Sequence, residues 1–195
     1  INVGKNPEGI VYNDGYLFIA NSGGLDFPDY DTTVSVIDPA TQQVVATQTV
    51  GINPGAVAPI NDGSVLVLSR GNYDDIEPQL YLVSTSESTE ILSGENIRGL
   101  YYSGDKIMVR KEAGGAAEIW EVDATSLSLT EKLPIDPADY TTFFGVEWIP
   151  ELNSFVAKDA NNYNASGSVH LINQQGQTTR SITTGLLPTK TLYIP

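Results

Sequence analysis

The stretch Val3-Gly4-Lys5-Asn6-Pro7-Glu8-Gly9 recurs as Val50-Gly51-Ile52-Asn53-Pro54-Gly55-Ala56, and the reading of the chain grows from that recurrence. Weaker echoes stand at Leu92-Ser93-Gly94-Glu95-Asn96-Ile97-Arg98-Gly99 and Thr184-Gly185-Leu186-Leu187-Pro188, with a drifted boundary at Pro134-Ile135-Asp136-Pro137. Equivalent points lie 47 residues apart from Gly4 to Gly51, 43 from Gly51 to Gly94, 42 from Gly94 to Asp136 and 49 from Asp136 to Gly185. Such a period fits either a propeller blade or a HEAT-type pair of helices.

Periodicity inside the repeats decides between these. Strands read as short alternating or β-branched runs, whereas helices need longer segments with apolar residues three and four apart. The first repeat reads Gly9-Ile10-Val11-Tyr12, an Asn13-Asp14-Gly15 turn, Tyr16-Leu17-Phe18-Ile19-Ala20, a long loop, Val34-Ser35-Val36-Ile37-Asp38, a second turn, and the run from Val44 to Val50. Asn, Asp and Gly tolerate the positive φ that tight hairpins require, and Asn61-Asp62-Gly63 is expected to form the same hairpin in the second repeat. Each repeat supplies four such strands, and no segment carries a helical pattern. The expected fold is all-β, a β-propeller of four-stranded antiparallel blades.

The repeats run over residues 4–50, 51–93, 94–135 and 136–184, with the next beginning at 185–195. The stretch Leu187 to Ile194 aligns with Asn6 to Tyr12 and is expected to be the innermost strand of a fifth blade. Both ends would then supply an innermost strand, so they duplicate rather than complement each other. The expectation is one propeller domain forming part of a larger ring, with further chain upstream of Ile1. A small propeller carrying an appended end strand is the alternative.

Composition narrows the function. With 24 acidic against 10 basic residues the formal net charge is −14, which repels a phosphate backbone and makes nucleic acid a poor partner. There is no cysteine, so disulfides, thiolate chemistry, iron–sulfur clusters and Cys-ligated zinc are excluded. No apolar run is long enough for a transmembrane helix, so no membrane insertion of this segment is expected.

The motif Val-Gly-x-x-Pro-x-Gly, then Leu17-Phe18-Ile19-Ala20-Asn21, Val34-Ser35-Val36-Ile37-Asp38-Pro39-Ala40-Thr41 and Val44-Val45, resembles the YVTN-type, YncE-like propeller repeat of bacterial surface-layer and secreted proteins. The resemblance implies seven blades and an extracytoplasmic site, at the cell surface, associated with the outer membrane as a lipoprotein, or secreted. It also implies a ligand or protein partner, in its sharpest form cobalamin captured for an outer-membrane transporter. Related propellers include metal-dependent lactonases and lyases with Glu, Asn and Asp around a calcium ion, which would make Asn21, Asp159 and Asn161 the first ligand candidates. A third reading is a structural surface-layer or assembly component.

In a propeller the loops between second and third strands, and those joining blades, gather on one face. The unusual residues of this chain concentrate there: Asn21, Asp26, Phe27 and Tyr30 in the first repeat, Arg70, Asn72 and Tyr73 in the second, Arg110 beside Lys111-Glu112-Ala113-Gly114-Gly115 in the third, and Phe143, Asp159, Asn161 and Tyr163 in the fourth. Aromatic rings beside amides, carboxylates and guanidinium groups suit a polar organic ligand, because rings give contact area at low entropy cost and polar groups fix orientation. The same residue types also make ordinary exposed loops.

Other chemistry is weaker. Asp26, Asp29 and Asp31, or Asp74, Asp75 and Glu77, offer oxygen ligands but lack the ordered spacing of a calcium loop, so solvated acidic loops are expected and no metal or cofactor is assigned. His170, the only histidine, alternates with apolar neighbours in Val169-His170-Leu171-Ile172 and reads as a strand residue rather than a general base. Ser103-Gly104-Asp105-Lys106 has Ser-x-x-Lys spacing but falls on a hairpin turn, not a helix start. No nucleophile elbow, phosphate loop or dinucleotide fingerprint is present, and the expected function is non-enzymatic binding on the loop face.

Overall fold

The computed structural model describes residues 1–191 and Ile194. Sixteen strands follow in chain order: β1 (Pro7–Asn13), β2 (Tyr16–Asn21), β3 (Thr33–Asp38), β4 (Gln43–Thr49), β5 (Pro54–Pro59), β6 (Val65–Ser69), β7 (Gln79–Val83), β8 (Ser88–Ile91), β9 (Ile97–Ser103), β10 (Lys106–Ala113), β11 (Ala116–Val122), β12 (Leu129–Lys132), β13 (Phe143–Ile149), β14 (Ser154–Asp159), β15 (Ser168–Ile172) and β16 (Thr178–Thr183). They form four four-stranded sheets, each ordered as its strands occur in the chain. The paired strands are antiparallel. The only helical segments among the described residues are three single turns of 3-10 helix. Residues 185–191 carry no strand, and Leu192, Tyr193 and Pro195, the rest of the expected fifth innermost strand, lie outside the described residues.

The chain forms two compact units, residues 1–100 with 123–128, and 101–122 with residues from 129 onward. In the first unit alternation sorts the side chains. Ile10 faces Ile19 and Tyr12 faces Leu17 across the β1–β2 ladder, so Val11 and Phe18 lie on the other face. Phe18, Ala20, Val34 and Val36 on that face pack with Val65, Val67 and Val83 into one core. All five residues of β6 are buried, so this strand is covered on both faces. Gly9 is required here, since a Cβ would lie 2.3 Å from the Gly55 carbonyl oxygen where β1 and β5 approach. In the second unit Met108, Ile119, Val146, Trp148, Phe155 and Ile172 make the equivalent core, with the Trp148 and Phe155 rings 4.8 Å apart.

The repeated Asn-Pro motif has a backbone cause. Asn6, Asn53 and Asn96 enter the first strands of their sheets at φ of 44°, 59° and 51°, and Leu187, aligned with Asn6, has φ of 55°. Asparagine is among the few residues with a side chain that visit this left-handed region readily. A bulge follows Asn6 and Asn53, between Pro7 and Gly9 and between Pro54 and Ala56, and β13 carries one between Phe143 and Gly145 without a left-handed entry.

Two local expectations are corrected. Asp14 and Gly15 both have positive φ and form a two-residue hairpin loop. Asn61-Asp62-Gly63 is instead a three-residue loop: the Ile60 N–H donates to the Ser64 carbonyl, the Asp62 carboxylate accepts from the Ser64 N–H, and only Gly63 has positive φ. In the third repeat, Lys111, Glu112 and Ala113 are not loop residues. β10 continues through them, pairing Lys111 with Glu118, and turns at Gly114-Gly115, whose φ values are 59° and 85°.

Candidate functional site

In the first unit, loops 22–32 and 70–78 are tied down by main-chain bonds that repeat from one sheet to the next. Past the end of β2, the Ser22 and Gly23 N–H groups donate to the Asn6 and Lys5 carbonyls; past the end of β6, Arg70 and Gly71 donate to those of Asn53 and Ile52. Gly23 and Gly71 sit at equivalent places with φ of 62° and 72°. A Cβ at Gly71 would lie 1.9 Å from the Ile76 carbonyl oxygen, so that turn admits only glycine.

Side chains complete the scaffold. The Asp31 carboxylate accepts from the Lys5 N–H at 2.7 Å, the Thr32 N–H at 2.6 Å and the Thr33 hydroxyl at 2.7 Å. Partial burial raises its pKa, but these donors outweigh that and hold it below the usual carboxylate range. Glu8 behaves alike: burial pushes it up, while the Arg70 guanidinium and the Ser22 hydroxyl bring it below its ordinary value. The Arg70 group fills the space that Gly55 leaves open, within 2.0 Å of where a Cβ would stand. Asn72 accepts from the Asp74 and Ile76 N–H groups at 3.0 and 2.9 Å and donates to Asp75 at 2.7 Å, so its amide shapes the loop.

Between these loops lies a groove of about 480 Å³. Its apolar lining is Phe27, Pro28, Ile52 and Ile76, and its polar lining is Asp29, Tyr30, Asn72 and Asp74. The Phe27 and Tyr30 rings meet edge to face at 6.0 Å, and Phe27 remains 73% exposed. Tyr73 is also exposed and stands at φ of 62°, a conformation a bulky side chain rarely adopts.

The structure thus brings Phe27, Tyr30 and Asn72 together. Asp26 pairs with Lys5 at 3.2 Å, and Arg70 is occupied by Glu8. Asn21 is corrected from loop-face ligand to interior residue. It is fully buried at the end of β2, its amide donating to Thr33 and Ser35 at 3.0 Å each, because a polar residue enclosed at a strand end must find internal partners. Ile52 is a lining residue that sequence reasoning missed, its one signal being an apolar side chain in the Gly51-Ile52-Asn53-Pro54 turn.

The second unit holds the remaining candidates. Arg110 is corrected from loop to strand: it pairs with Ile119 in the β10–β11 ladder and its guanidinium lies 3.4 Å from Glu112. Phe143 packs into the core edge, 6.3 Å from Tyr101 and 5.5 Å from Tyr140 between ring centres. Asp159 is buried and accepts from the Thr141, Thr142 and Asn161 N–H groups at 3.0, 2.8 and 2.9 Å. Burial opposes its ionisation, but these donors, with His170 nearby, keep it below the usual range. Asp159 therefore clips two loops together and is not open to a ligand, while Asn161 donates to the Ser166 carbonyl at 3.1 Å. Tyr163, at φ of 63°, lies edge to face with Phe144 at 6.2 Å. His170, a satisfied strand residue, bridges Ser168 and Ser181 at 2.7 and 2.9 Å and meets the Tyr140 ring edge to face at 5.3 Å. Among the described residues no three His, Asp or Glu side chains are grouped as a metal ion requires.

No protein-family model matches the chain, and no curated protein sequence matches it. Solved structures do. Hydrazine synthase of Kuenenia stuttgartiensis is similar over 95% of this chain and 52% of its own, at 22% identity and a TM-score of 0.65. The Dos1 propeller matches over 90% of this chain and 46% of its own, at 16% identity and a TM-score of 0.56. The Cps50 (Swd1) β-propeller domain of Myceliophteria thermophila matches over 95% and 57%, at 12% identity and a TM-score of 0.58. The chain spans about half the length of these structures, and at such identities the likeness is one of fold. Four antiparallel four-stranded sheets, in chain order and with propeller neighbours, give this chain the β-propeller fold.

Proposed function

We propose that this chain is a non-enzymatic binding module of the YVTN-type, YncE-like kind, exposed outside the cytoplasm, in which loops 22–32 and 70–78 capture a ligand. The observation that carries the reading is the groove of about 480 Å³ between two loops of the first unit, with Phe27 and Tyr30 in its wall. A volume of that order falls within the range of small-molecule sites, roughly 300–1,000 Å³. The loops are held before any ligand arrives, by the Asp31 and Asn72 hydrogen bonds and the Arg70–Glu8 pair, which lowers the ordering cost of binding. The family and the location rest on the repeat motifs, in which Asn6 and Asn53 both stand in the left-handed region.

Ligand-detected NMR on the whole chain, with a library of small polar and aromatic molecules that includes cobalamin, tests this. The expected result is a set of binders that the Phe27→Ala, Tyr30→Ala double variant no longer retains. An empty screen, or binders that ignore the double variant, overturns it.

A further inference from the structure

Asp29 and Asp74 both line the groove, one from each loop, and neither carboxylate has a hydrogen-bonding or ion-pairing partner among the described residues. The carboxylates around them are occupied: Asp26 by Lys5, Asp31 by its three donors, Asp75 by Asn72 and Glu77 by Arg98. No lysine or arginine lines the groove, and the nearby guanidinium of Arg70 is turned to Glu8. Two unneutralised carboxylates therefore share a recess with Phe27, which is largely exposed, and Tyr30.

We infer that the ligand is a small organic cation, an amine or quaternary ammonium group carrying a short organic chain, an inference that rests on the binding reading above. Each part of the recess matches a part of such a molecule. The faces of Phe27 and Tyr30 attract a cation through the ring quadrupole. Asp29 and Asp74 supply the countercharge, and Ile52 and Ile76 accept the apolar chain. The formal charge of −14 on the chain raises the local concentration of cations and repels anions.

The test is a titration of the whole chain followed by amide chemical shifts, with choline as the cationic probe and 3,3-dimethylbutanol as its neutral isostere. The expected result is a choline response at residues 25–31 and 70–76, with the isostere about tenfold weaker and added salt eroding the difference. Asp29→Asn and Asp74→Asn should each reduce choline affinity several-fold, while Asp105→Asn, a turn carboxylate of the second unit, leaves it unchanged. Because the isostere and salt comparisons use the unaltered chain, a variant that misfolds does not decide the outcome. Equal binding of the two probes, or indifference to both aspartate substitutions, overturns the cation inference while leaving a binding groove in place. No response to either probe at millimolar concentration also overturns it, and the library screen then decides whether the binding reading falls too.

Discussion

The loop after β6 and the loop after β14 open on the same main-chain path and then part, Asn162 standing at φ of 57° where Asn72 does not. Gly71 and Asn161 occupy the same left-handed position, at φ of 72° and 44°, and two residues later Tyr73 and Tyr163 stand at 62° and 63°. The opening bond repeats as well, from the Arg70 N–H to the Asn53 carbonyl and from the Ala160 N–H to the Thr142 carbonyl. The anchoring chemistry differs. The strand before one loop ends in Ser69, whose buried hydroxyl has no partner, and the loop is held by the Arg70–Glu8 pair and the Asn72 amide. The strand before the other ends in Asp159, which accepts from three N–H groups. The repeat preserves a main-chain path because main-chain donors and acceptors must be paired, and it leaves the side chains free to diverge. The loop chemistry therefore differs from sheet to sheet.

That comparison can be broken most forcefully at Gly71. Gly71→Ala meets the Ile76 carbonyl and forces a side chain into the left-handed region, and a loss of about 3 kcal/mol in urea unfolding is expected, whereas Asn161→Gly at the equivalent place should stay within about 0.5 kcal/mol. A small loss at Gly71 would show that the loop relaxes to another path.

Next comes the pair of strand ends. Asp159→Asn weakens or unpairs several charge-assisted bonds and is expected to cost about 2 kcal/mol. Ser69→Ala removes only an unpartnered hydroxyl and should be neutral or slightly stabilising. Equal losses at the two sites would contradict the division of labour between them.

The two units should also titrate differently. Glu8 and Asp31 in the first and Asp159 in the second have folded pKa values below their unfolded ones, so their stabilisation is fully present above the unfolded carboxylate values and is lost as pH falls through the folded ones. Tyr101 and Tyr140, both in the second unit, are pushed up to about 12, chiefly by burial, and Tyr81 in the first is raised by burial and by Glu90. The unfolded chain then releases phenolic protons first, and stability declines from the ordinary tyrosine value of about 10 up to about 12. Unfolding midpoints measured across pH should show both limbs, with Tyr101→Phe flattening the alkaline one and leaving the acid one intact. A small effect is expected at Arg70: the pair with Glu8 is partly exposed, and Arg70→Met should cost about 1 kcal/mol or less in urea unfolding.

The fold was legible because its determinants are local and repeated. Asn6-Pro7 and Asn53-Pro54 mark the left-handed entry to a blade, and the apolar and β-branched runs in Tyr16–Ala20 and Val34–Asp38 mark strands whose consecutive residues are buried. The site was legible only as two loops. Arg110 was misplaced because Lys111 and Glu112 are polar, and polarity does not separate a loop from a strand edge that finds a partner ladder. Asn21 and Asp159 read as ligands in the sequence because their partners, the Thr33 and Ser35 hydroxyls that accept from Asn21 and the backbone N–H groups that donate to Asp159, leave no local pattern. Asp29 and Asp74 were read as solvated loop charges, since no local pattern records that their loops face each other across a groove.

The most direct test of the account is the map of amide shifts on binding of any ligand found in the screen. Responses at residues 25–31, at Ile52 and at 70–76, with residues 160–164 silent, are predicted. Responses centred on the loop after β14, with the first unit unmoved, would contradict the account.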